Sequence, residues 1–326
     1  MSKWLKIQIV LLFIAAICFG GYKGIQQNKT IKKSNANAVV SFADMNKSKM
    51  GSYSLTGDEK VKNILLVGSD KRGSETGYGR SDCMLIVSID KKNNQLKMTS
   101  LLGDAYVDIP GYGENRLSMA YSIGGISLLY ETIASNYGIQ LNNYAIVEFK
   151  DFVAIVDKIG GVTIDVTEFE AKYLQYYYED QNVKNVAIGE NLLNGTQALA
   201  YVRIKQDAAG DYGRTVRERK LMKAMYSSLS KSSVSSLLDM VKQLVKSMTT
   251  DLTSKEITTY LADVIAMSGD NVKEYVLPAD GQYSVETVDG VTVYRFDADV
   301  VRKDVADFMY NPVMQQDIVD TNDTEK

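Results

Sequence analysis

Apolar and polar positions fall along this chain in blocks whose ends carry the charge. NILLVGSD (63–70) is an apolar run closed by Gly-Ser-Asp, and RSDCMLIVSID (80–90) opens with charges before turning apolar. KMTSLLGDAYVDIPG (97–111) places Asp104 just after a third such run. Short apolar runs bounded by turn residues predict strands, here with acids at their ends, where ligands of open α/β sheets usually sit. GGISLLYETIASNYG (124–138) and KDFVAIVDKIGG (150–161) space their apolar residues at helical intervals and stop at glycine, the residue that most readily ends a helix in the left-handed conformation. Residues 214–228 predict a helix with charges in its early turn, and two amphipathic helices are expected near 234–249 and 254–267. EYVLPADGQYSVETVDGVTVYRFD (274–297) alternates about Asp-Gly turns and predicts a hairpin or pair of strands. Strand-like runs alternating with helical ones describe α/β layers.

The two ends of the chain differ from this pattern. MSKWLK followed by IQIVLLFIAAICFGGY predicts a cytoplasmic stub and uncleaved transmembrane anchor over 1–22. Residues 23–58, rich in Lys, Asn, Ser and Gly, are expected to form a tether, 59–310 the folded domain, and 311–326 a polar, acidic tail. Lys3 and Lys6 precede the anchor and Lys23, Lys29, Lys32 and Lys33 follow it, so charge alone does not fix its orientation.

At 326 residues, 45% hydrophobic and 24% charged, the chain has material for one large domain beyond its anchor. A net charge of -3 without a long basic stripe argues against a nucleic-acid binder. Two cysteines, one of them in the anchor, and no histidine argue against an intramolecular disulfide and a zinc site.

What remains is a constellation of acids and basic residues. Asp70, Arg80, Asp82 and Asp104 form one group, and Arg203, Lys205, Asp211, Arg214 and Arg217 follow about a hundred residues later. Any one of them alone reads as a solvated charge. Together, at predicted strand ends, carboxylates that can hold a divalent cation and arginines that can clamp phosphate as bidentate forks describe a site for a phosphorylated ligand with its metal.

The same segments, in the same order, resemble the LytR-CpsA-Psr family of cell-wall glycopolymer ligases. The resemblance runs through NILLVGSD, GRSDCMLIVSID, SLLGDAYVDIPGYG, RLSMAYSIGG, FVAIVDKIGGVTIDV, LLNGTQALAYVRIK and GDYGRTVRER, about half of the chain. It implies an α/β fold with a central mixed sheet flanked by helices behind an N-terminal transmembrane helix, the domain lying on the extracellular face of the cell membrane. It also implies transfer of a teichoic acid or capsular glycopolymer from a polyprenyl-pyrophosphate carrier to peptidoglycan, with Mg²⁺ at the pyrophosphate.

By that resemblance Asp70 and Asp82 are metal-proximal acids, and Arg80, Asp82 and Asp104 are catalytic. Arg80, Arg116, Arg203, Lys205, Arg214 and Arg217 would surround the pyrophosphate, and Asp211 is the acid of the Gly-Asp motif. The chain departs from the family pattern at three places: Gly103 stands where Arg usually precedes the acid, Lys205 where a second Arg is usual, and Glu218 where Gln is common. These departures leave open a ligase, a lipid-pyrophosphate hydrolase, or a glycolipid-binding scaffold or regulator of wall assembly. An arginine in place of Gly103 is expected to raise turnover if the chain is an enzyme.

Overall fold

The computed structural model describes residues 40–70, 77–178, 181–205, 207, 210–229, 249–253, 255, 256, 259, 260, 263, 267 and 272–312. The predicted anchor, the first part of the tether, residues 234–248 of the helix expected near 234–249, most of that near 254–267 and the tail beyond 312 lie outside these residues, while Thr249 belongs to a strand. Among the described residues no helix is long and apolar enough to cross a membrane.

The three strands expected from the apolar runs form, as β1 (Val61–Ser69), β2 (Ser81–Asp90) and β3 (Gln95–Leu101), with β4 (Ala105–Ile109) after them. Leu65, Val67, Met84 and Ile86 face one core, while Ile64, Leu85, Val87 and Ile89 face another. Burial on both faces is why these strands read as nearly continuous apolar runs rather than as alternation. The parallel neighbour of β1 is β6 (Asn143–Glu148), and that of β3 is β10 (Val272–Leu277). A two-residue strand, β9 (Thr249–Thr250), closes a six-stranded mixed sheet of order β10-β3-β2-β1-β6-β9.

β2 runs antiparallel to β1 and β3. The C-terminal ends of β1, β3, β6 and β10 and the start of β2 therefore lie along one end of the sheet. Gly68 pairs with Cys83 but Ser69 with Ser81, so Asp82 is the extra residue of a β-bulge, a local irregularity that tends to re-aim side chains.

β5 (Gly113–Arg116) leads into α2 (Leu117–Tyr137), and α8 (Ala298–Tyr310) packs against α2 over the first core. α2 begins seven residues before the expected start, and the glycine pair lies inside it as a kink: Gly125 has φ 64°, and a Cβ there would stand 2.7 Å from the Tyr78 ring. The predicted hairpin is β11 (Tyr283–Val288) with β12 (Val291–Phe296), which joins β4 and β5 in a second sheet, while β10 from the same stretch joins the first. A third core lies among α3 (Phe149–Lys158), β7 (Val162–Val166), α4 (Glu168–Tyr177), α5 (Gln181–Lys184), β8 (Gly189–Leu193), α6 (Gly195–Val202) and α7 (Gly210–Leu229).

The tether does not extend to residue 58 as expected. Ser41 caps α1 (Phe42–Ser48), and Phe42 is buried with its ring 4.3 Å from that of Tyr130 and 4.8 Å from that of Tyr144. Both Asp251 oxygens are used nearby, accepting from the Phe42 N–H at 2.8 Å and the Tyr144 N–H at 2.9 Å. A single ring in a polar stretch outweighs the average composition, because an aromatic side chain buries more apolar area than the polar neighbours cost.

Candidate functional site

β1 ends at Ser69, and Asp70 follows with its side chain turned back onto the entry to β2. Its carboxylate accepts from the Arg80 backbone N–H and, at 3.1 Å, from the Arg80 guanidinium Nε, with a second guanidinium nitrogen also at 3.1 Å. Asp70 is buried, while the Arg80 side chain is 53% exposed. One carboxylate is thus pinned at a strand end under a cation that is free to turn outward. Asp82 follows directly in β2; its side chain lies outside the described residues.

The second group is built where the β3–β4 turn meets the first turn of α7. Asp104 Oδ1 lies 3.3 Å from Arg116 Nη1, at the end of β5, and its Oδ2 lies 2.7 Å from Lys205 Nζ. Lys205 also reaches Asp211 Oδ1 at 3.1 Å, and Arg214 Nη2 stands 2.5 Å from the same oxygen. The other Asp211 oxygen accepts the Asp104 backbone N–H at 2.9 Å. Asp211 begins α7, where an acid is favoured by the unpaired N–H groups and dipole of the helix. Burial pushes its carboxyl up, but Arg214, Lys205 and the Asp104 N–H outweigh burial and hold it below the ordinary value.

Asp104 and Asp211 therefore share Lys205 between them, while Arg116 and Arg214 close the two ends. Arg203 caps the C-terminus of α6, its guanidinium carbon 4.9 Å from the centre of the Phe149 ring. Phe149 follows β6, so Arg203 stands at the same end of the sheet as Asp70.

Arg217 is placed differently. Its Nε lies 2.8 Å from Glu170 and its Nη1 3.1 Å from the Ile204 carbonyl, while its Nη2 is bonded to Asp207. It is buried and ties α7 to α4 and to the segment after Arg203. The α7 spacing that joins Arg214 and Arg217 in sequence does not bring them onto one set of partners.

One contributor escaped the reading of the chain, and a second, Glu218, was read there only as a departure from the family pattern. Glu170, which accepts from Arg217 through one oxygen, uses the other to close the capping box of Thr167; the T-x-x-E spacing signalled the cap but not the arginine. Glu218 lies 3.6 Å from Arg214 Nε and bonds Cys83 of β2. Burial raises its carboxyl to about 7, with Arg214 opposing the shift and Asp211 adding to it.

Asp70, Asp104 and Asp211 set three negative charges against the five positive ones of Arg80, Arg116, Arg203, Lys205 and Arg214. Counting Asp82 leaves a surplus of one, which Glu218, 3.6 Å from Arg214 with its carboxyl raised to about 7, cancels only when ionised. Partly open cations in excess over their acids can take a multiply charged anion. Among the described residues no group of three acids or cysteines is placed to enclose a metal. Mg²⁺ does not require one, since it is usually bound through one or two carboxylates and the oxygens of a phosphate.

A model of the LytR_cpsA_psr family matches residues 22–306. The chain is 32% identical over 246 residues to the polyisoprenyl-teichoic acid–peptidoglycan teichoic acid transferase TagU of Bacillus mycoides strain KBAB4, covering 74% of this chain and 75% of that one. It is 35% identical over 174 residues to the regulatory protein MsrR of Staphylococcus aureus strain COL, covering 52% of this chain and 49% of that one. The fold is similar to that of a LytR-CPS2A-psr family protein, YwtF (TagT), solved with bound octaprenyl pyrophosphate lipid. The two agree with a TM-score of 0.58 at 20% identity, over 80% of this chain and 97% of that one.

Proposed function

Because the chain belongs to the LytR-CpsA-Psr family, we propose that it transfers a glycopolymer from a polyprenyl-pyrophosphate carrier to peptidoglycan. The observation that carries this reading is the surplus of cations at one end of the sheet, arranged around acids that orient them without cancelling them. A pyrophosphate between Arg116, Lys205, Arg214 and Arg203 would find its charge neutralised from several sides, and that charge grows on the departing lipid phosphate as the bond to the glycan-linked phosphorus breaks. Arg80, half exposed over Asp70, can turn from the carboxylate to a phosphate oxygen. Asp104 and Asp82 are the candidates to take the proton of the acceptor sugar hydroxyl.

Mg²⁺ is part of this proposal. Asp70, buried at its strand end with Arg80 as its displaceable partner, supplies the hard oxygen ligand such an ion needs, and Asp82, the extra residue of the β2 bulge, is the candidate for a second. When bound, the ion would supply charge neutralisation at the phosphates. Residues 7–22 would anchor the protein in the cell membrane with the domain on the extracellular face, where carrier lipid and peptidoglycan meet. Asp70→Asn is expected to remove the metal dependence of ligand binding.

The test is the lipid itself. Full-length protein extracted from membranes is expected to carry a polyprenyl (pyro)phosphate identifiable by mass spectrometry, and Lys205→Ala is expected to lose it. Equal lipid occupancy in the two proteins would remove the acid–cation cluster from the ligand site. A second reading, a glycolipid-binding scaffold without turnover, predicts bound lipid and no transfer.

A further inference from the structure

Gly103 lies in the turn between β3 and β4, and its backbone is not in the left-handed region that would call for glycine. Space calls for it instead. A Cβ there would stand 2.8 Å from Arg214 Nη2, with Ser118 Cβ at 3.6 Å and Asp211 Oδ2 at 3.7 Å. The end of a long side chain can usually swing away from such a collision, but this one is held. Arg214 is only 7% exposed, its Nη2 is 2.5 Å from Asp211 Oδ1, and its Nε is 3.6 Å from Glu218.

The turn cannot retreat either. The Gly103 carbonyl accepts from the Ser118 N–H at 3.0 Å, and the Asp104 N–H donates to Asp211 at 2.9 Å. Backing away would break the bond that sets Asp104 against Asp211, and with it the geometry through which both acids share Lys205.

We propose that Gly103 is a positioning residue whose missing side chain is the seat of the Arg214 guanidinium, so that the cation beside the β3–β4 turn is delivered from α7. The proposal rests on the reading of this cluster as the pyrophosphate site. It inverts the expectation drawn from the sequence: the glycine is not a lost clamp, and an arginine placed at 103 competes for space that Arg214 already fills. Gly103→Arg therefore weakens ligand binding.

The experiment is a double-mutant cycle on the full-length protein in detergent, with farnesyl pyrophosphate binding followed by calorimetry and thermal melting followed in parallel. Gly103→Ala is expected to weaken binding at least about tenfold. Lysine at 214 keeps the charge but lacks the nitrogen that would be struck, so adding Gly103→Ala to Arg214→Lys is expected to change affinity less than about threefold from Arg214→Lys alone. Gly103→Ala with wild-type affinity, or an equal loss in both backgrounds, overturns the seat. If the wild type binds no farnesyl pyrophosphate, the assignment of the ligand fails, while the melting cycle still decides on the seat. A lower melting temperature for Gly103→Ala only where Arg214 is present supports it, and the same decrement in both backgrounds overturns it.

Discussion

At one end of β2 and β3 lies a closed ion pair, and at the other an open cluster. Lys97 spends its three donors on Asp90 at 2.7 Å and on the carbonyls of Met309 at 3.0 Å and Asn311 at 2.7 Å. Asp90 in turn accepts from the Asn93 backbone at 2.9 Å and its side chain at 2.7 Å, and neither member of the pair is exposed. The pair fastens the end of α8, where orphan carbonyls favour a cation. Around Asp104 and Asp211 the charges do not balance, and Arg116 and Lys205 are 28% and 30% exposed. The closed pair joins two neighbouring strands, whereas the open cluster gathers its acids and bases from a turn, a strand end and the start of α7. What separates a fastening from a candidate binding site is access: the closed pair is sealed from solvent, while Arg116 and Lys205 reach it.

The largest effect expected from breaking this comparison is at the closed end. Lys97→Met leaves Asp90 buried without its counter-ion and is expected to cost about 3–5 kcal/mol in chemical denaturation. The lipid affinity of the folded fraction should be unchanged. A cost below about 1 kcal/mol would show that the pair is no fastening.

Lys205→Ala reverses the profile. The loss to stability should be about 1–2 kcal/mol, since Asp104 keeps Arg116 and Asp211 keeps Arg214, whereas affinity for a polyprenyl pyrophosphate should fall at least about tenfold by calorimetry. Comparable losses in the two variants' affinities would erase the distinction between the ends.

A smaller effect sharpens the open end. Glu218 has an ordinary value of 4.5 that burial raises to about 7. Between these values the unfolded chain has released a proton that the folded one still holds, so stability falls as pH rises through the window and is lowest above about 7. Glu218→Gln should flatten this slope, adding about 1–3 kcal/mol at pH 8 and little at pH 4.5. Melting curves across that range check it, and an unchanged slope would place the titration elsewhere.

The strand ends were legible in the chain because burial on both faces leaves an unbroken apolar run, and a run that ends in Gly-Ser-Asp announces its own edge. The cluster was legible as a set of residue types, and the turn after β3 and the start of α7 bring Asp104, Lys205, Asp211 and Arg214 together. Arg217 was not separable from Arg214 in the chain, because helical spacing gives a face and not a partner; Glu170 and Asp207, which take it up, come from other elements. Phe42 was hidden in a polar stretch, and its burial depends on Tyr130 and Tyr144, about ninety and a hundred residues away. The meaning of Gly103 lay out of reach for the same reason: the group that fills its space belongs to a helix a hundred residues later.

The most direct measurement of the central claim is transfer of a labelled glycan from its polyprenyl-pyrophosphate carrier to peptidoglycan, with wild type, Lys205→Ala and Lys97→Met compared at equal amounts of folded protein. Transfer by the wild type and by Lys97→Met, with a loss of at least about tenfold in Lys205→Ala, is the predicted result. Robust transfer by Lys205→Ala, or none by a wild type shown to carry the lipid, would contradict the account.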